Sequence, residues 1–152
     1  MIDKIKHSLE DAIAHLQDGA SIMVSGFGEA GIPFELLHAV LDKGLRDLTI
    51  ISNNAGTHEV GIAALIKARR VRKIVCSHPR PVNSETFLAA YRAGQVELEC
   101  MPQGTLAERL RAAGAGWSAA RRRWAGSRWW AGLPTRHGRT IRRARRHRRW
   151  RR

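Results

Sequence analysis

Apolar positions along the chain change their period several times, and each change marks an element. Ile5, Leu9, Ala12, Ile13 and Leu16 recur at helical spacing and predict an amphipathic helix over about 3–17, stopped by Asp18-Gly19. Ser21-Ile-Met-Val-Ser25 is a short apolar run that breaks into glycines, the pattern of a buried strand. Pro33 suits a first helical turn, and Phe34, Leu37, Val40 and Leu41 supply an apolar face that runs up to Gly44. Leu48–Ser52 and Lys73–Ser77 read as further strands, with helices over about 58–69 and 84–93, the latter closed by Gly94. From Gln95 to Met101 the pattern alternates: Val96, Leu98 and Cys100 share one side and Glu97 and Glu99 the other. This predicts a strand with one wet face at the edge of a sheet. Thr105-Leu-Ala-Glu108 has capping-box spacing and opens a last helix. Strand starts near 21, 48, 73 and 96 recur as in βα units. The expected fold class is therefore α/β, a mostly parallel sheet with helices on both faces, which binds ligands at the carboxyl ends of its strands.

The pattern stops at Trp117. The net charge of +14 suggests a nucleic-acid binder, but its distribution does not. Residues 1–116 hold 13 Lys/Arg and 13 Asp/Glu, whereas residues 117–152 hold 14 Arg, all five Trp and no acid. Two regions follow: an α/β portion over 1–116 and an Arg/Trp-rich segment over 117–152, expected to be disordered. Out-of-frame reading of a GC-rich gene enriches Arg, Trp, Ala and Gly in this way. Sequencing the gene and searching its other frames for an α/β continuation checks that origin. A genuine disordered extension and a selected nucleic-acid-binding tail are the alternatives. Whatever its origin, such a segment would bind nucleic acid nonspecifically and with steep salt dependence.

Cys76 and Cys100 lack paired spacing, the histidines show no metal-ligand spacing, and no run reaches membrane-span length. These features suit a reduced, cytoplasmic protein without metal or membrane attachment; both cysteines are read as core residues. Gly26-Phe-Gly-Glu-Ala-Gly31 matches G-x-G-x-x-G after a strand. Against a dinucleotide site, Pro33 delays the helix past the third glycine, and the second strand ends in Ser52-Asn53-Asn54 with no acid for a ribose. A strand-to-helix turn needing positive φ explains the glycines equally well. Asn53-Asn54 before Ala55-Gly56 is by itself compatible with a simple turn, and Gln103 with a solvated loop residue.

Together these segments resemble a known family. Asp18-Gly19 followed by Ile22-Met-Val-Ser-Gly-Phe-Gly-Glu-Ala-Gly-Ile-Pro33 is similar to the signature of the A subunit of class I 3-oxoacid CoA-transferases. Ile51-Ser-Asn-Asn-Ala-Gly56 and the stretch Met101–Gly116 resemble its second and third motifs, Ser25 standing where the family usually has a glycine. The resemblance covers residues 1–116 and implies a reaction. A glutamate from a partner B subunit first attacks an acyl-CoA, an enzyme–CoA thioester forms, and CoA passes to a second carboxylate. It further implies that Asn53, Asn54 and Gln103 support the thioester and its oxyanions, and that Gly26, Phe27, Gly28 and Gly31 form the substrate and CoA-binding loop. The CoA thioester is then substrate rather than cofactor. Glu29 becomes a surface residue, since the family's attacker lies on the other chain. The stretch Cys76–Phe87 and Ala89–Gly94 look like the 3-oxoadipate branch, with succinyl-CoA as donor. Arg80 is a candidate for a second substrate carboxylate, but reads better as a solvent-facing loop residue. Because the family pattern is lost at Trp117, the chain is expected to support little transfer even with the B subunit.

Overall fold

The computed structural model describes residues 5–115. The chain divides into two compact units, 1–108 and 109–152; the described part of the second is the end of the last helix and the residue after it. The proposed boundary at Gly116 and the Arg/Trp-rich segment lie outside the described residues.

The first unit alternates helix and strand in order: α1 (Leu9–Ile13), β1 (Ser21–Met23), α2 (Phe34–Asp42), β2 (Leu48–Ile51), α3 (Ile62–Lys67), β3 (Val71–Cys76), α4 (Glu85–Arg92), β4 (Glu97–Cys100) and the start of α5 (Gln103–Gly114). All strand pairs are parallel and the sheet order is β1-β2-β3-β4. Ile22, Ile50, Ile74 and Leu98 stand in register across the four strands and so project from one face. They share a single apolar cluster with Leu37 and Val40 of α2, Leu65 and Ile66 of α3, and Phe87 of α4. Right-handed crossovers between strands laid down in sequence order place successive helices on the same side. Helices α2, α3 and α4 accordingly share one face of this α/β sheet. Ile50, Leu65 and Ile74 are fully buried there, each contributing about 2 kcal/mol through the apolar area removed from water.

Helix α3 begins at Ile62 rather than near residue 58, and two other element boundaries differ from the sequence expectation for local reasons. Helix α1 begins at Leu9 rather than near residue 3, because the Ser8 hydroxyl accepts from the Asp11 N–H and caps it there, leaving Ile5 exposed. Helix α5 already includes Gln103, so Thr105 lies inside the helix and not at its cap.

Among the described residues β4 is an edge strand, as its alternation predicts. The opposite sheet face carries buried Ile51 and Val75 together with a charged group: Lys73 Nζ lies 3.0 Å from carboxylate oxygens of both Glu97 and Glu99. Burial works against the ammonium, but the bonds to the two glutamates outweigh it and hold the Lys73 pKa above its ordinary 10.5. A raised folded-state value means that this stabilisation is complete below pH 10.5 and is lost as pH climbs through the folded pKa. Lys73→Met leaves two carboxylates facing each other and should lower unfolding free energy by about 2 kcal/mol at neutral pH. On the alkaline side, urea titrations of the two proteins should show that gap closing above pH 10.5.

The cysteines part company. Cys76 is fully buried, and burial, followed by the neighbouring Cys100, pushes its thiol up to about 12. Cys100, read from the sequence as a core residue, is exposed, because it ends the edge strand. Iodoacetamide at pH 8 should therefore label Cys100 in the native chain and reach Cys76 after unfolding, as peptide mass spectrometry would show.

Candidate functional site

Four parallel strands end on the same rim, and the loops leaving them enclose a cleft of about 660 Å³. Phe27, Gly28 and Glu29 come from the loop after β1; Asn53, Asn54, Thr57 and His58 from the loop after β2. Ser77, His78, Pro81, Val82 and Asn83 follow β3, and Gln103 opens α5 after β4. Gly28, Asn54 and Gln103, one from each motif, thus line one cavity at the carboxyl ends of the strands, where open parallel sheets bind ligands.

The glycine loop is a tight reversal in which Phe27 and Ala30 exchange backbone bonds of 2.9 and 3.2 Å. Gly26 has φ +116°, and a Cβ there would sit 2.6 Å from Ile32 Cγ1, so the turn requires glycine. Ser25 is accommodated without crowding, its hydroxyl donating to Gly31 O at 2.8 Å. Helix α2 starts at Phe34, beyond the third glycine, so Gly31 does not pack against a helix already begun as the dinucleotide fold requires. Phe27 is 78% exposed and presents its ring at the cleft.

Asn54 and Asn53, adjacent in sequence, do different work. Asn54 is 1% exposed; its Nδ2 donates to Gly28 O at 3.0 Å and its Oδ1 accepts from Gly56 N–H at 2.8 Å. It is at once the turn residue of the second motif and the tie that holds the glycine loop to it. Asn53 is half-buried and turns to the other side, where its Nδ2 donates to Gln103 Oε1 at 3.1 Å and to Ser77 Oγ at 3.3 Å. The Ser77 hydroxyl lies against Gln103 Oε1 as well and 3.2 Å from the Asn53 carbonyl.

On the outer wall, Glu29 is not an idle surface residue. Its Oε1 accepts from the Thr57 hydroxyl at 2.8 Å and lies 3.4 Å from His58 Nε2. His58 and Asn83 both adopt left-handed backbone conformations and meet through a 2.8 Å bond from His58 N–H to Asn83 O. Arg80 is exposed and is not among the residues lining the cleft. Ser77, Thr57, His58, His78 and Asn83 went unrecognised in the sequence as site residues. The bonds of Ser77, Thr57 and His58 span 23 to 28 residues, and no period or motif marks them. Among the described residues no cluster of His, Cys, Asp and Glu suits a metal ion, and no helix is long and apolar enough to cross a membrane.

The cavity therefore offers a neutral amide, that of Gln103, with an exposed aromatic ring, that of Phe27, among its lining residues. Known proteins resemble this chain in sequence and in fold. The chain is 55% identical over 116 residues to the A subunit of 3-oxoadipate CoA-transferase from Pseudomonas putida, a match over 76% of this chain and 50% of that one. It is 46% identical over 107 residues to the human mitochondrial succinyl-CoA:3-ketoacid coenzyme A transferase 2, covering 70% of this chain and 20% of that one. Among solved structures, an acyl-CoA transferase from E. coli O157:H7 (YdiF), in a thioester complex with CoA, superposes with a TM-score of 0.60 at 27% identity, over 71% of this chain and 22% of that one. The chain spans about half the length of its Pseudomonas relative. The profile of the family described as Coenzyme A transferase matches residues 6–130, which runs past Gly116, where the motif resemblance ends. With its motifs, its sheet order and this match over most of its length in agreement, the chain belongs to the coenzyme A transferase family.

Proposed function

We propose that the chain supplies the A-subunit side of the active site of an acyl-CoA:3-oxoacid CoA-transferase. It moves CoA from succinyl-CoA to a 3-oxo acid, 3-oxoadipate by preference, in the cytoplasm and together with a B subunit. The observation that carries this reading is the meeting of the glycine loop, Asn53 and Gln103 around one cleft. The identity to the Pseudomonas 3-oxoadipate enzyme supports the choice of acid.

Each step of the exchange is an addition to a carbonyl. A glutamate carboxylate of the B subunit first attacks the thioester carbon, the C–S bond breaks, and CoA leaves as thiolate from an acyl-glutamyl anhydride. The thiolate then attacks the glutamyl carbonyl and expels succinate, leaving a glutamyl-CoA thioester. The carboxylate of the 3-oxo acid repeats the sequence in reverse and regenerates the glutamate. Every addition places negative charge on an oxygen, which neutral N–H donors stabilise without forming a competing ion pair. Gln103 Nε2 is suited to this role, because its own oxygen is already engaged by Asn53 and Ser77. Glu29 is a poor candidate for the attacking group, being held by Thr57 and His58. The CoA thioester is itself the substrate, and the scheme requires no further cofactor.

A chimera tests the reading. Residues 1–116 of this chain would replace the matching first half of the Pseudomonas A subunit, which would then be paired with its B subunit. Exchange from succinyl-CoA to 3-oxoadipate is expected, faster than to acetoacetate, with an enzyme-bound thioester released by hydroxylamine. A folded, paired chimera that forms no thioester would overturn the proposal. The 152-residue chain paired with the same B subunit is expected to give far less exchange, since the family match does not extend past residue 130.

A further inference from the structure

Gln103 can serve as a donor only if its amide faces the right way, and a glutamine amide can reverse by rotation about its last bond. In the structure two donors converge on Gln103 Oε1: Asn53 Nδ2 at 3.1 Å and the Ser77 hydroxyl. Asn53 Nδ2 also lies 3.3 Å from Ser77 Oγ, so the three side chains close a ring. With Oε1 directed into that ring, both Nε2 protons are left to face away from it, and no bond from Gln103 Nε2 is seen among the described residues.

The ring spans three strand ends. Ser77 follows β3, Asn53 follows β2, and Gln103 begins the helix after β4. The Ser77 backbone is itself pinned between them: its N–H donates to Asn53 O at 3.2 Å, and its carbonyl accepts from the Cys100 thiol at 3.8 Å. Ser77 is therefore the fixed member, directly after the end of a central strand, whereas Gln103 is an exposed side chain at the first position of its helix.

We infer that Ser77 is a positioning residue, whose hydroxyl sets the orientation of the Asn53 and Gln103 amides and thereby presents Gln103 Nε2 to the bound carbonyl. The consequence for catalysis rests on the function proposed above; the orientation itself does not. If the proton of Ser77 were instead given to the Asn53 carbonyl, both amides could turn over together, with Gln103 Nε2 donating inward to Ser77 and to Asn53 Oδ1. One hydroxyl proton thus chooses between a donor and an acceptor facing the ligand.

Side-chain amide NMR of the full 152-residue chain decides this without any assay of exchange. In the native protein the Asn53 NH2 protons should give an NOE to the Ser77 β protons, and the Gln103 NH2 protons should not. In Ser77→Ala, the heteronuclear NOE of the Gln103 side-chain amide should fall toward that of a free glutamine while the backbone amides of β2 and β3 keep their shifts. Ser77→Thr retains the hydroxyl and should restore the native signature. The inference is overturned if Ala leaves the Gln103 signal unchanged, if Ala and Thr disturb it equally, or if the native NOE to Ser77 comes from Gln103. A variant that loses the β2 and β3 signals is replaced by the Thr protein, whose native-like or altered amide signature decides the same point. Absence of CoA exchange in the chimera would leave this result standing, and the reverse also holds.

Discussion

Replacing Asn54 by Ala should destabilise the first unit more than any other single change in the cleft, by about 3 kcal/mol, the loss expected when a buried, doubly bonded amide is removed. The side chain satisfies one acceptor, Gly28 O, and one donor, the buried Gly56 N–H. Gly56 N–H is buried at a turn with φ +88° and loses the oxygen that it donates to. Gly28 O loses its partner at the same time, and with it the one side-chain bond from the second motif to the backbone of the glycine loop. Two effects should therefore appear together: a lower urea midpoint, and faster amide exchange at Ala30, whose N–H closes the Phe27 turn. Asn54→Asp separates the two bonds. Its carboxylate can still accept from Gly56, but it sets a buried charge against the Gly28 carbonyl and should be no more stable than the Ala variant. An Ala variant within about 0.5 kcal/mol of the parent would show that the tie is not structural.

The double bonding of Asn54 also shows where reading from sequence stops. Strand positions were legible because apolar runs of the right length are bounded by Gly, Pro and Asn, and all four strands lie where the pattern puts them. The edge position of β4 was legible from the alternation of Glu97 and Glu99 with Leu98. Three glycine and amide motifs could be matched to one rim because ligand loops of a parallel sheet leave the carboxyl ends of its strands. Which way each side chain turns was not legible. Asn53 and Asn54 are adjacent and chemically identical, yet one faces Ser77 and Gln103 while the other is buried under the glycine loop. That division depends on backbone direction at one residue, which no composition or spacing encodes. Ser77 escaped notice because a lone serine at a strand end is ordinary, and its partners are 24 and 26 residues away. Asn83 carried a weak signal, an asparagine in a Pro-rich loop, since Asn tolerates the left-handed conformation it adopts. His58 carried none. That α2, α3 and α4 share one face could have been anticipated from handedness alone once the sheet order was known, but the order itself had to come from the structure.

The second large effect should fall on turnover and not on folding. Gln103 is exposed at the start of α5, and removing it leaves Ser77 and Asn53 able to bond each other. Gln103→Ala in the chimera should therefore keep the parent's urea midpoint. The kcat for CoA exchange should fall about a hundredfold, the loss typical of deleting one preorganised oxyanion donor. KM should change little, because the donor gains most of its strength after charge has built up on the oxygen and adds little to ground-state binding. Gln103→Glu sharpens the test. A carboxylate can still accept from Asn53 Nδ2 and the Ser77 hydroxyl, so the ring survives, but it offers no N–H and brings a negative charge toward a developing oxyanion. Its kcat should be at or below that of the Ala variant even though its geometry is closer to native. If the Glu protein were more active than the Ala protein, the ring itself, and not the outward amide, would be what transfer needs. If both stayed within about threefold of the parent, Gln103 would not stabilise the transition state, and the amide reading of the cleft would fail at its centre.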